Sequence, residues 1–164
     1  LEKAKAEFDK ANSIDPNNAV INNNLGVYER MNGNKEKAME YYEAAKGSGP
    51  EVGANIGFLQ MKSGDYASAT SNYGSVKSFN AALAQTLNKD YQTALNTIDA
   101  SPAANMAAGH YLKAVIYARM DDKSKSVASL KMAVKEDGSL KAKAKEDAEF
   151  SKYKDDSEFQ AAVN

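Results

Sequence analysis

Residues 25–50 read LGVYERMNGNKEKAMEYYEAAKGSGP, and their small and aromatic residues recur at helical spacing. Gly26 is followed by Ala38 twelve residues later, and Ala38 by Tyr42 after four more. Residues four positions apart lie on one face of a helix, and the dipeptide Asn32-Gly33 is a turn signal. The segment therefore predicts two antiparallel helices whose small residues meet at the crossing, with an aromatic side chain packed above it.

The same spacing continues on both sides of this segment. Upstream, Ala4 and Phe8 precede Ala38 and Tyr42 by 34 residues. Downstream, the pattern returns after steps of 31, 25 and 32 residues. The downstream copies are Gly57, Ala69, Tyr73 and Val76, then Ala82, Ala94 and Ile98, then Ala114, Ser126, Leu130 and Ala133. The chain therefore contains an internal repeat of two helices per unit.

Leu25-Gly26, Ala38, Tyr42 and Pro50 resemble the signature of the tetratricopeptide repeat, a 34-residue unit of two helices. The resemblance implies an all-α fold, a right-handed α-solenoid of antiparallel helical hairpins with a C-terminal capping helix. We expect a single array over residues 1–164, and we expect the chain to be a fragment of a longer protein. Its predicted parts are the second helix of a truncated repeat (1–18), repeats at 19–49 and 50–77, a shortened repeat at 78–103, a repeat at 104–138 and a capping segment at 139–164.

The turn signals between the repeated residues predict where the helices begin and end. The expected helices are 1–13, 19–31, 35–46, 51–62, 66–77, 79–87, 91–99, 104–120 and 123–136. After them we expect a charged helix that Ser139 caps, and then a final short helix that starts at an aspartate or serine. Spaced aromatic residues in the tail, among them Phe150 and Phe159, are expected to pack onto the last helix pair.

Composition and charge exclude several classes of function. The chain has 21 basic and 22 acidic residues, so it has no general attraction for nucleic acid. No apolar run reaches the ~18 residues that a transmembrane helix needs, so we expect no membrane insertion. Cysteine is absent and His110 is the single histidine, which removes thiol nucleophiles and the usual zinc sites. We therefore predict a protein that is not an enzyme and that binds no metal or cofactor.

Several other polar residues have structural explanations. His110 is expected to be packed or half-exposed between helices. Asp121-Asp122 and Asp155-Asp156 stand at predicted helix starts, where negative charge is favourable. The charged run 141–149 is interpreted as a solvated face, and Arg119 as an isolated surface charge that contributes little.

The family resemblance implies that the first helix of each unit lines a concave groove. At one groove position, successive units carry Asn24, Asn55 and Asn80. Side-chain amides both donate and accept hydrogen bonds, so such a ladder can hold the backbone of an extended peptide. The alternative is that these asparagines serve local hydrogen bonds or solubility.

Other residues carried over to the groove are apolar or basic. Phe58 and Phe79 either anchor a partner or are buried against the neighbouring second helix. Asn23 and Val27 stand where the carboxylate clamp of some family members has lysine and asparagine, so we reject that clamp. The complete set of expected partner-binding residues is Asn23, Asn24, Val27, Arg30, Asn55, Phe58, Lys62, Phe79, Asn80 and Tyr111.

The function that this reasoning favours is a scaffold that binds a peptide or a partner protein in the groove. The alternative is a structural spacer or self-assembly module, with the groove filled by its own chain or by another copy. In that case the open N-terminal helix would mediate self-association. Lysine-rich usage without cysteine, in a frame that resembles the repeat tails of bacterial envelope proteins, favours a periplasmic or cell-envelope location over a cytoplasmic one.

Overall fold

The computed structural model describes residues 2–164, which form eleven α-helices and one 3₁₀ helix and contain no strand. The helices are α1 (Glu2–Ile14), α2 (Ala19–Met31), α3 (Lys35–Ala44), α4 (Pro50–Ser63), α5 (Tyr66–Tyr73), α6 (Phe79–Leu87), α7 (Tyr91–Asp99), α8 (Ala107–Arg119), α9 (Lys123–Glu136), α10 (Leu140–Glu146), the 3₁₀ helix (Ala148–Tyr153) and α11 (Ser157–Val163). The predicted all-α class is confirmed.

Four helical hairpins form the repeated part of the chain. Their helices pack as the pairs α2 with α3, α4 with α5, α6 with α7 and α8 with α9. Each connection is a tight turn that contains one residue with a left-handed backbone, with φ between 59° and 87°. These residues are Gly33, Gly64, Lys89 and Asp121. The short connections make the two helices of every pair antiparallel, as the turn signals predicted.

Three of the local predictions are wrong. Helix α5 ends at Tyr73 and does not reach residue 77, because Gly74 takes a φ of 53° and breaks the helix. Helix α8 begins at Ala107 rather than at 104, because residues 101–106 form successive turns. Ser139 makes no capping bond to α10; its hydroxyl donates to Asp137 at 2.7 Å.

The chain divides into two compact units, one that ends at Val76 and one that spans Lys77–Asn164. The first unit is built around Tyr42, whose ring is fully buried together with Ala38 and Ile56. The second unit holds two core clusters, one around Ile98 and one that joins the last hairpin to the C-terminal segment.

Each hairpin crosses at a small residue that faces a large one. A Cβ atom on Gly26 would lie 2.5 Å from the Tyr42 ring, and one on Gly57 would lie 3.1 Å from the Tyr73 ring. The corresponding pairs in the second unit are Ala82 with Ile98 and Ala114 with Leu130, all fully buried. Glycine thus stands opposite the two aromatic residues and alanine opposite the two aliphatic ones. A methyl group on Gly26 would overlap the Tyr42 ring, and one on Gly57 would lie 3.0 Å from the Ala69 carbonyl oxygen as well as close to the Tyr73 ring.

The C-terminal segment closes the second unit. Phe150 and Phe159 are each 1% exposed and lie in the core cluster that contains Ala114 and Leu130. Asp156 accepts backbone hydrogen bonds in the first turn of α11 and so caps it. The prediction that tail aromatics pack onto the last helix pair, with an aspartate starting the final helix, is confirmed.

Tyr73 makes the stability of the first unit sensitive to alkaline pH. Its side chain is 2% exposed, and burial raises the pKa of the phenol from 10.0 to about 12. The Tyr73 phenol therefore ionises at a lower pH in the unfolded chain than in the folded one. Its contribution to the free energy of unfolding is complete below pH ~10 and is lost as the pH rises towards ~12. Water solvates the phenolate only in the unfolded chain, so ionisation of Tyr73 favours unfolding.

We therefore expect Tyr73→Phe to remove this alkaline loss. In urea titrations at pH 8, the variant should match the parent to within about 1 kcal/mol. Near pH 12, it should be more stable than the parent by about 2 kcal/mol. Equal loss of stability in parent and variant between these pH values would contradict the assignment to Tyr73.

Candidate functional site

The predicted groove residues of the first unit lie on α2 and α4. Asn55 donates through Nδ2 to Oδ1 of Asn23 at 3.0 Å, so one amide pair joins the two helices. Asn24 is half-buried beside it, and Asn80 lies exposed on α6 in the second unit. Among the three asparagines of the expected ladder, Asn55 takes part in this hydrogen bond and Asn24 and Asn80 do not. Its partner, Asn23, directly precedes Asn24 in the sequence.

Arg30 and Phe58 form a second contact between α2 and α4. The guanidinium carbon of Arg30 lies 5.3 Å from the centroid of the Phe58 ring, and its Nε donates to the Tyr42 hydroxyl at 3.3 Å. Phe58 is half-buried and, like Val27, packs against the core of the unit. Phe58 therefore serves the core with one face and carries Arg30 on its surface. Lys62 is exposed.

The second unit contains a cavity of about 470 Å³ on the side of its first helices. Its apolar wall comes from α6 and α8, and its other wall comes from the segment that follows α9. The lining residues are Phe79, Leu83, Ala107, Ala108, Tyr111, Leu112, Val115, Arg119, Asp137, Leu140, Lys143, Asp147 and Glu149. Two of the expected partner-binding residues, Phe79 and Tyr111, thus lie in one cavity.

Tyr111 joins the two walls of this cavity. Its hydroxyl donates to Oδ2 of Asp147 at 2.7 Å, and its ring meets Phe150 edge-on at a centroid distance of 5.7 Å. Nζ of Lys143 lies 4.5 Å from the same ring centroid. Burial, and then the hydrogen bond to Asp147, raises the pKa of Tyr111, so the phenol stays protonated and keeps this donor. These contacts hold the Tyr111 side chain in one orientation between α8 and the C-terminal segment.

Arg119 forms a second link to the C-terminal segment. Its Nε lies 3.1 and 3.0 Å from the two carboxylate oxygens of Glu149, and its NH1 donates to the carbonyl of Thr86 at 3.3 Å. Only 27% of the Arg119 side chain is exposed. The interpretation of Arg119 as an isolated surface charge is wrong. Glu149, thirty residues later in the chain, pairs its carboxylate with the Arg119 guanidinium.

The capping segment is the part of the site that the sequence did not predict. Asp147 and Glu149 belong to the charged run that was interpreted as a solvated face, yet both line the cavity. The available signal was the spacing of the tail aromatics, which predicted packing on the last hairpin. That spacing does not reveal which polar residues turn towards α8.

His110 is packed, as expected, and is 9% exposed. It lines a smaller polar recess of about 280 Å³ with Asp99 and Lys113, whose side chains form an ion pair at 2.8 Å. Within residues 2–164, no three acidic, histidine or cysteine side chains come together as a metal site. We find no catalytic arrangement around this recess.

Comparison with known proteins supplies a family match. Residues 7–40 match a family model described as tetratricopeptide repeat, and the matched range contains Phe8, Gly26 and Ala38. No curated protein matches the chain. Among the helices of the described residues, none is long and apolar enough to cross a membrane.

Proposed function

Because the chain is a tetratricopeptide repeat protein, we propose that it is a binding scaffold whose second unit takes an apolar side chain of a peptide or partner protein. Tetratricopeptide repeats mediate protein–protein interactions, and members of the family are typically non-enzymatic. The observation that carries the proposal is the cavity of about 470 Å³ between the first helices and the C-terminal segment.

The cavity has the chemistry of a side-chain pocket. Its volume of about 470 Å³ falls within the range of roughly 300–1,000 Å³ that ligand pockets occupy. Leu83, Leu112 and Val115 supply an apolar wall, and burying one leucine or phenylalanine side chain there would contribute about 1.5–3 kcal/mol. Charged residues surround this wall, so a partner backbone finds hydrogen-bonding groups at the rim.

Each unit, taken by itself, carries an asparagine at the predicted groove position: Asn24, which is half-buried, and Asn80, which is exposed. Asn24 in the first unit and Asn80 in the second each make no side-chain hydrogen bond among the described residues, and each can both donate to and accept from a peptide backbone. Asn55 is engaged with Asn23 at 3.0 Å. We therefore assign partner contact to Asn24 and Asn80, and a supporting role to the Asn23–Asn55 pair.

A peptide selected from a displayed random library on the intact protein provides the probe. Ala108 is exposed at the cavity, so Ala108→Trp should fill the opening without disturbing the core. We expect this change to weaken peptide binding at least about tenfold, a loss of about 1.4 kcal/mol, as measured by fluorescence anisotropy.

The matched control is Ala161→Trp, an exposed alanine on α11 that does not line the cavity. This control should bind the peptide as the parent does. If Ala108→Trp stays folded by circular dichroism and binds the peptide with unchanged affinity, the cavity is not the binding site.

A further inference from the structure

Arg30 is a half-buried arginine on α2 of the first unit. It forms no ion pair in the part of the chain that the structure describes. Its neighbour in sequence, Glu29, is 5% exposed and accepts a hydrogen bond from Nδ2 of Asn34 at 2.6 Å. The other arginine of the chain, Arg119, is by contrast paired with Glu149. Partial burial of a cation without a counter-charge is costly, so Arg30 points to an anionic partner.

Two aromatic side chains hold the Arg30 guanidinium in place. Its carbon lies 5.3 Å from the centroid of the Phe58 ring, and its Nε donates to the Tyr42 hydroxyl at 3.3 Å. Tyr42 is fully buried, so this anchor belongs to the core of the unit. Nη1 and Nη2 of Arg30 donate to no described residue. An arginine held in this way loses little freedom when both terminal nitrogens bind one planar acceptor.

Lys62 places a second positive charge beside the same ring. It stands four residues after Phe58 on α4, and side chains four positions apart lie on one face of a helix. Lys62 is exposed, and the residues that the structure describes offer it no ion pair either. The Phe58 ring is therefore flanked by two cations, one from each first helix of the unit.

We propose that Arg30, Phe58 and Lys62 bind an acidic peptide segment, with one side-chain carboxylate on the Arg30 guanidinium and a second one near Lys62. A carboxylate is planar and matches the terminal N–H groups of a guanidinium in a bidentate pair. Phe58 shields one side of the guanidinium from water, which strengthens a hydrogen bond made there. Two unpaired cations match two carboxylates, one for each charge.

This site is separate from the site of the proposed function. It lies wholly in the first unit, and it uses neither the cavity nor the amides that we assign to partner contact. It also involves neither Asn23 nor Val27, the positions at which this chain lacks the carboxylate clamp. The acidic segment and the apolar side chain can therefore be tested one at a time.

The probe is the peptide Gly-Ser-Glu-Gly-Glu-Ser-Gly with both termini blocked, so that its only charges are the two side-chain carboxylates. Two matched peptides carry glutamine or phosphoserine in place of both glutamates. Binding to the intact chain is followed at low salt, where ion pairs are least screened, by the NMR shifts of the α2 and α4 backbone amides. We expect saturable binding of the glutamate peptide and at least about tenfold weaker binding of the glutamine peptide.

Three variants locate the binding. Arg30→Lys keeps the charge and removes the paired N–H groups, so it should weaken binding of the glutamate peptide at least about fivefold. Lys62→Gln changes an exposed side chain that carries no core contact, and it should weaken binding about threefold. The matched control is Lys37→Gln, which removes an exposed charge from α3 of the same unit and should leave binding unchanged.

Equal binding of the glutamate and glutamine peptides would overturn the proposal. So would an equal loss in Lys62→Gln and Lys37→Gln, because the attraction would then be a general effect of charge. A phosphoserine peptide that binds while the glutamate peptide does not would assign the site to phosphate and overturn the proposal as well.

Discussion

Replacing Phe150 by alanine should lower the free energy of unfolding by about 3–5 kcal/mol. The side chain is 1% exposed and lies between two other aromatic rings, 5.7 Å from Tyr111 and 6.0 Å from Phe159 by centroid distance. Alanine would leave a void at the centre of the cluster that joins the last hairpin to the C-terminal segment. Urea unfolding followed by circular dichroism measures the loss.

Phe150→Leu is the matched control, because it keeps most of the apolar volume and should cost less than about 2 kcal/mol. The cavity gives a second readout. Its outer wall carries Asp147 and Glu149, which closely precede Phe150 in sequence. At temperatures where Phe150→Ala remains folded, the variant should bind the selected peptide more weakly than Phe150→Leu. A loss below about 1 kcal/mol would contradict the central place of Phe150 in this cluster.

Tyr42→Ala should have an effect of similar size in the first unit, about 3–5 kcal/mol. The ring is fully buried and covers Gly26. Alanine at position 42 would leave the volume of the ring empty, and Gly26 has no side chain that could fill it. The hydroxyl also accepts from Nε of Arg30 at 3.3 Å, and this contact is lost as well. Denaturant unfolding again measures the change.

The neighbouring Tyr41 supplies the control for this prediction. Tyr41 is half-buried on the same helix, and Tyr41→Ala should cost markedly less than Tyr42→Ala. Similar losses for the two variants would mean that helix propensity or the unfolded chain, and not the crossing with Gly26, determines the effect.

The hairpins could be predicted from the sequence because their determinants are local. A small residue and a large one recur sixteen positions apart, and each pair is joined by a turn signal within the same unit. One of the errors arose where a single backbone angle decides. Gly74 could have continued a helix at low helical propensity, but its φ of 53° ends α5 at Tyr73.

The candidate site was only partly predictable. Phe79 and Tyr111 were expected in the groove and do line the cavity. Its second wall depends on where the chain runs after Gly138, and the repeat period carries no information about that path. The Arg119–Glu149 and Tyr111–Asp147 contacts join residues thirty or more positions apart, so a charged run that reads as solvated was instead partly buried.

The amides show the same limit on a smaller scale. Asn24 and Asn55 occupy equivalent places in the sequence repeat, yet Asn55 bonds to Asn23. Which of two adjacent amides faces α4 depends on the axial shift and rotation between α2 and α4. Those quantities come from core packing and cannot be read from the spacing alone.

The most direct test of the account is a methyl NMR titration of the intact protein with the selected peptide. We predict that the largest shift changes occur at the methyl groups of Leu83, Leu112 and Val115, which line the cavity. Met132, exposed on α9 away from the cavity, should not change. Saturating binding that perturbs Met132 and leaves the cavity methyl groups unchanged would contradict the proposal that the second unit binds its partner there.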